Sequence, residues 1–334
     1  MKLYGFAGFG VVPEVFSCGI QPENAVWMHG AQLRVAADRQ IMVRKLIINA
    51  DDFGLTRGIN LAIYECAEVG VLQSATLMPN GEAFDDAVKA AKGREGFATG
   101  IHFALTDLKP LLPAGKLQGL VGPDGFLPSS PGELLKKIAG RKKLRDAIRK
   151  ELFSQAEKVF DCGISVTHFD SHKHIHIIPV VLDIIIEIAK HFSVKAMRDP
   201  FEAEGAWRFF YDVETGERAK FVKQYAMIHG SIIARPHFRS RVRKAGIQTP
   251  AGLYGISASG FINEKIIGRI CRMLKPGVSE LMTHPGIVDA DLERCKTRLL
   301  GSRAREKDLL ISASLKELFE RHEIILSHFG ELNQ

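Results

Sequence analysis

"KLIINADDFG", residues 45 to 54, is a short, mostly apolar run that ends in two adjacent acids and a Phe-Gly turn. The next stretch, "GINLAIYECAEVG" (58–70), spaces its apolar residues as one face of a helix does and stops at Gly70. The order is strand, loop, helix, and it recurs. "SATLMPN" precedes "EAFDDAVKAAKG", and "FATGIHFALT" precedes, after a long insertion, "KLRDAIRKELFSQAEKVFDCG". Further strand candidates are "SVTHFD", "VKAMRDP", "GLYGISAS", "VSELMTHPG" and "HEIILSHF", with helix-like segments such as "PVVLDIIIEIAKHF" and "NEKIIGRICRML" between them. Alternating strands and helices predict an α/β fold, a mostly parallel sheet with helices outside it.

Composition sets the outer limits. The 334 residues are 46% hydrophobic and 25% charged, as in an ordinary globular protein. A formal net charge of +7 raises nucleic acid as a partner, but basic stretches such as "RKKLRDAIRK" read as solvated helix faces, so none is expected. Five widely spaced cysteines without a C-x-x-C pair give no disulfide framework and no thiolate zinc site, which fits a reducing cytoplasm. No apolar run approaches the ~20 residues of a membrane span. Residues 1–44 lack period and site chemistry. They are expected to be an extension, disordered or preceding a start at Met42; Pro13 and Glu14 interrupt what would otherwise resemble a signal peptide. Segments 108–140 and 201–250 read as insertions, the second holding a helix.

Polar residues punctuate the pattern at the ends of strands: Asp51 and Asp52, Asn80, Thr106, Asp170 and His172, Arg198 and Asp199, and His284. In parallel α/β folds these C-terminal ends converge on one rim, where ligands bind. The densest stretch is "HFDSHKHIHIIP" (168–179). Read as extended chain, it puts His168, Asp170, His172, His174 and His176 on one face. Carboxylates and imidazoles together suit a divalent cation, Zn²⁺, Mg²⁺ or Mn²⁺. Of the adjacent pair Asp51 and Asp52, one can bind the ion while the other faces the water it activates. An Asx turn or helix cap is the alternative use of "DDFG". His102, in "GIHFALT", and His284, in "MTHPG", complete the candidate set.

"NADDFG", "GIHFALT", "HFDSHKHIH" and "THPG", in this order and spacing, resemble the YdjC-like carbohydrate deacetylases, which include chitooligosaccharide and hopanoid-biosynthesis deacetylases. The resemblance covers about residues 45–330 and implies a (β/α) barrel-like domain there, with mostly parallel strands and outer helices. It implies one divalent ion, Mg or Zn, on Asp52, His102 and His172, with Asp51 as general base. It also implies removal of the acetyl group from an N-acetylated amino sugar, oligosaccharide or glycolipid. Amide hydrolysis also needs a proton for the departing amine; His284 is the first choice, with His174 and His176 as competitors. Arg198, His174 and Trp207 are expected to contact substrate, Trp207 because "EGAWRFFYD" offers aromatic faces to a sugar ring. Two rivals stand beside this reading: another metal-dependent hydrolase, acting on a phosphate ester or a non-sugar amide, and a sugar-binding module without turnover. The oligomeric state is left open, a homodimer included.

Overall fold

A computed structural model describes residues 43–333 apart from residues 93, 95 and 118. Residues 1–42, where most of the expected extension falls, lie outside the described residues. The order begins β1 (Arg44–Phe53), α1 (Arg57–Glu68), β2 (Ser74–Leu77), α2 (Phe84–Lys92), β3 (Ala98–Phe103), α3 (Pro131–Ile138), α4 (Lys142–Asp161), β4 (Val166–Ser171) and α5 (Pro179–His191). It continues α6 (Arg218–His229), α7 (Arg235–Lys244), β5 (Leu253–Tyr254), α8 (Glu264–Met273), β6 (Gly277–Thr283), α9 (Ala290–Arg294), α10 (Gly301–Leu310), α11 (Ala313–Arg321) and β7 (Ile324–Ser327).

All strand pairings are parallel, in the order β4-β3-β2-β1-β6-β5. β7 lies beside the first half of β1, on residues 44 to 47, and β2 beside its second half. Single bridges tie Met197 to Phe169 of β4 and Glu202 to Leu253 of β5, so the chain between β4 and β5 follows the curl of the sheet. The parallel strands and outer helices are those the sequence pattern predicts, and the barrel-like α/β form is the one the family resemblance implies. From Leu46 onward β1 is buried at every residue, as a strand covered on both faces must be. Among the described residues no helix is long and apolar enough to cross a membrane, and Cys66, Cys162, Cys271 and Cys295 are free thiols.

Two sequence expectations are corrected. The alternation in "HFDSHKHIHIIP" ends at Ser171, because a 3-10 segment follows over His172–Ile177 with Lys173 and His174 at φ of 52° and 53°. His172, His174 and His176 therefore do not share a strand face. Residues 201–250 hold α6, α7 and three 3-10 turns rather than one helix. In α6 apolar and basic residues are mixed around the helix, so no period marks it in the sequence.

Candidate metal centre and its carboxylate frame

The two adjacent aspartates would point to opposite faces of a regular strand. β1 breaks register against β2 between Ala50 and Phe53, and Asp52 takes φ 66°, so the backbone turns and both carboxylates reach the C-terminal rim. Neither caps α1: that role falls to Thr56, whose hydroxyl accepts from the Ile59 N–H at 3.3 Å. His102 comes from β3, Asp170 from β4, and His172 from the first residue of the turn after β4. His284 follows β6 directly, at the same rim.

One carboxylate oxygen and two imidazole nitrogens converge there. Asp52 Oδ1 is 3.5 Å from His102 Nε2 and 3.3 Å from His172 Nδ1, and one ligand atom from each residue falls within 4.8 Å of the others. The opposite nitrogen of each ring faces an acid: His102 Nδ1 is 2.7 Å from Asp170 Oδ1, and His172 Nε2 is 3.3 Å from Asp107 Oδ2. With a proton on each of those outer nitrogens, the inner nitrogens offer their lone pairs toward Asp52. Outer carboxylates orient metal-binding histidines in the same way. Asp52 Oδ1 is buried and has no hydrogen-bond partner among the described residues. An orphaned anionic oxygen beside two imidazole nitrogens, in a site where Asp52 and His102 are each 2% exposed, fits a divalent cation.

A second convergent trio, Asp51, His102 and Asp170, is filled differently. Arg198 donates to both oxygens of Asp51 at 2.6 Å, reaches Asp170 Oδ2 at 2.7 Å and binds Glu280 through Nε at 2.8 Å. Its guanidinium supplies the positive charge that Asp51 and Asp170 would otherwise take from a cation. Arg198, a candidate substrate contact in the sequence, has no exposed surface and is paired with a group of carboxylates. Asn49 adds a bond from Nδ2 to Asp51 Oδ1 at 2.9 Å, and Thr76 donates to Asp170 Oδ2 at 3.1 Å.

The frame sets the charge states. Burial would raise the Asp51 carboxyl, but Arg198 outweighs it and holds Asp51 below the usual carboxylate range. Asp52 is likewise held low against burial, by Arg303 and His172. Burial opposes a charge on His172, yet the neighbouring Asp107 and Asp52 carboxylates carry it up to about 9; His102 is raised by Asp170 against the same penalty. His284, 4.0 Å from Asp51 through Nε2, goes the other way, pushed down to about 4 by burial although Asp51 and Asp52 oppose the shift.

The remaining candidates separate. His174 has a buried Nδ1 without a partner among the described residues, and burial, aided by Arg198, pushes it down to about 3. His176 has no exposed surface; it pairs with the Ser171 hydroxyl and packs edge-on against Phe238. His168 is fully buried and stacks on Phe329 with centroids 3.6 Å apart. Trp207 is 48% exposed on a 3-10 turn, edge-on to Tyr211, while Phe209 beside it is core.

The sequence reading missed the pair that α10 supplies. Arg303 hydrogen-bonds Asp52 Oδ2 through Nη2, and Glu306 accepts the His284 backbone N–H at 2.7 Å. Both are 1% exposed and sit three residues apart, on one face of the helix. Asp107, held by Lys173 at 2.6 Å, was missed as well. Charged residues spaced i, i+3 in "GSRAREKD" were the available signal, although a solvated helix reads the same way.

Fold and site together define a parallel α/β barrel-like protein with a carboxylate–imidazole cluster at its C-terminal rim. The chain belongs to the YdjC-like protein family, whose profile matches residues 45–321. It is 30% identical over 296 residues to a carbohydrate deacetylase of Brevibacillus brevis, covering 86% of this chain and 99% of that one. It is 31% identical over 294 residues to a chitooligosaccharide deacetylase of Enterobacter sp. (strain 638), covering 87% and 100%. A crystal structure from Enterococcus faecalis V583, of a protein provisionally assigned to cellobiose-phosphate cleavage, has the same fold. It matches with TM-score 0.65 and 23% identity over 87% of this chain and 99% of that one.

Proposed function

We propose that this chain is a metal-dependent carbohydrate deacetylase that hydrolyses the acetamide of an N-acetylated amino sugar, with a divalent cation on Asp52, His102 and His172. The observation that carries the reading is the buried, unpartnered Asp52 Oδ1 facing two imidazole nitrogens whose outer nitrogens are each backed by a carboxylate. Kinship with carbohydrate and chitooligosaccharide deacetylases supplies the substrate class. Both guanidiniums at the cluster are bound to carboxylates, which disfavours the phosphate-ester reading.

The cation, when bound, supplies Lewis acidity, lowering the pKa of water and polarising a carbonyl. The chain's own residues handle the protons. Asp51 stays ionised and accepts a proton from the water that adds to the acetyl carbon, while Arg198 holds the carboxylate in place. His284 is neutral near pH 7, so the proton it gives to the departing amine has to arrive during the reaction. Asp51, 4.0 Å away, is its source. The C–N bond breaks with that one proton on nitrogen, so the amine leaves neutral as RNH2. The acetic acid left behind gives its remaining proton to the amine or to solvent, ending as acetate. His174 Nδ1 and the exposed face of Trp207 are the proposed substrate contacts.

The test is acetate release from N-acetylglucosamine oligomers by chain stripped of metal and then resupplied with Zn²⁺, Mg²⁺ or Mn²⁺. Activity lost on stripping and restored by one of these ions is expected. Undiminished activity after complete stripping would overturn the reading.

A further inference from the structure

Residues 218–244 hold eight of the 45 Lys and Arg residues and no Asp or Glu. Outside this stretch 37 basic residues face 38 acidic ones, so the net charge of +7 traces to these 27 residues. They form α6, a 3-10 turn over Gly230–Ala234, and α7. The inner side buries Phe221, Gln224, Phe238 and Val242. The outer side presents Val222, Met227, Ile232 and Ile233, with Met227 74% and Ile233 87% exposed. Arg239 and Arg241 pair with Asp199 and Asp183, but Lys223, Arg243 and Lys244 are exposed and have no carboxylate partner among the described residues.

The ridge stands at the rim that carries the cluster. Gln224 Nε2 donates to the carbonyls of Ile256, Ser257 and Ser259, in the loop after β5, at 2.9 to 3.1 Å. Ile228 packs on Leu253, Ile256 and Met282, and Met282 is two residues before His284.

We propose that this ridge docks the protein onto an anionic lipid bilayer. Protruding aliphatic side chains flanked by unpaired cations are what an interfacial element needs: the apolar tips enter the acyl boundary and the cations meet lipid phosphates. A second copy is a poorer occupant, because a two-fold contact would set this wholly basic segment against itself. Nucleic acid is also poorer, since the protruding residues are aliphatic rather than stacking aromatics. Docking turns the cluster-bearing rim toward the membrane face.

The experiment is flotation of the full chain with vesicles of phosphatidylcholine alone, or of phosphatidylcholine with about one third phosphatidylglycerol. Flotation with the anionic vesicles only is expected, weakening as salt rises from about 0.1 to about 0.5 M. Ile232→Ser with Ile233→Ser, and separately Arg243→Glu with Lys244→Glu, should each lower the partition coefficient about tenfold. Acetate release from a soluble acetylated amino sugar should stay unchanged in both, which separates loss of docking from any failure of the deacetylase reading. No flotation, or flotation that neither pair reduces, overturns the proposal. So does a wild-type dimer that the isoleucine pair dissolves, or tighter binding to a short DNA duplex than to the vesicles.

Discussion

Asp170 Oδ1 lies 2.7 Å from His102 Nδ1, and this contact decides which nitrogen of His102 is free to bind an ion. The same carboxylate receives Arg198 and Thr76 on its other oxygen, so it cannot turn away. Asp170→Asn removes the charge and lets either ring nitrogen carry the proton. The expected result is a loss of about 10- to 100-fold in divalent-ion affinity, read by titration calorimetry on stripped protein. Unchanged affinity would mean that Asp170 does not orient His102.

Arg198 compensates Asp51, Asp170 and Glu280 at once with no exposed surface of its own. Replacing it by Met leaves three buried acids without their cation. Breaking a buried ion pair by removing one partner costs about 3–5 kcal/mol, so Arg198→Met should lower the unfolding free energy in a urea titration by at least that much. A loss below about 1 kcal/mol, the range of surface pairs, would show that the acids find other partners.

Glu306 is buried, and burial pushes its carboxyl up to about 7 despite its bond from the His284 N–H and the nearby Arg303. A carboxyl raised in the folded state binds more protons folded than unfolded between about pH 4.5 and 7. It therefore costs stability progressively as pH rises through that window and nothing further above it. Buried histidines held low, His284 among them, change stability in the opposite sense over part of the same range. The decisive quantity is thus a difference. The stability of Glu306→Gln minus that of the unaltered chain should increase from pH 4.5 to 7 and then level off. A difference that stays flat in urea titrations across that range would contradict the assignment.

The strand–helix alternation made the parallel α/β sheet legible, the family resemblance its barrel-like form, and the apolar runs ending in Asp or His marked the rim. His102 and Asp52 were readable because an imidazole in an apolar strand and an acid at a strand end are locally conspicuous. The carboxylate frame was not. Arg303 lies 251 residues from Asp52, and nothing local distinguishes a guanidinium that turns inward from one that faces water. The row of histidines was overread, since alternation in sequence carries no sign of the left-handed backbone at Lys173 and His174. "ARPHFRSRVRK" shows its charge plainly, but not that Ile233 protrudes beside it.

Gly100 sits where β3 meets the ring of His168, and a Cβ there would lie 2.5 Å from the imidazole. The ring is held between that backbone and Phe329, so it has little room to give. Gly100→Ala should destabilise the chain by about 1–3 kcal/mol, the usual range for overpacking a core, and lower Tm correspondingly. An unchanged Tm would show that His168 can move.

The central claim is that Asp52, His102 and His172 hold a divalent ion while Asp51 handles the proton. Elemental analysis of His172→Ala and Asp51→Asn, purified alongside the unaltered chain and assayed for acetate release, tests it most directly. His172→Ala should lose both metal and turnover. Asp51→Asn should keep its metal and lose roughly 10²- to 10⁴-fold in turnover, as expected for a lost general base. A full complement of metal in His172→Ala, or an Asp51→Asn chain that loses its metal, would contradict the account.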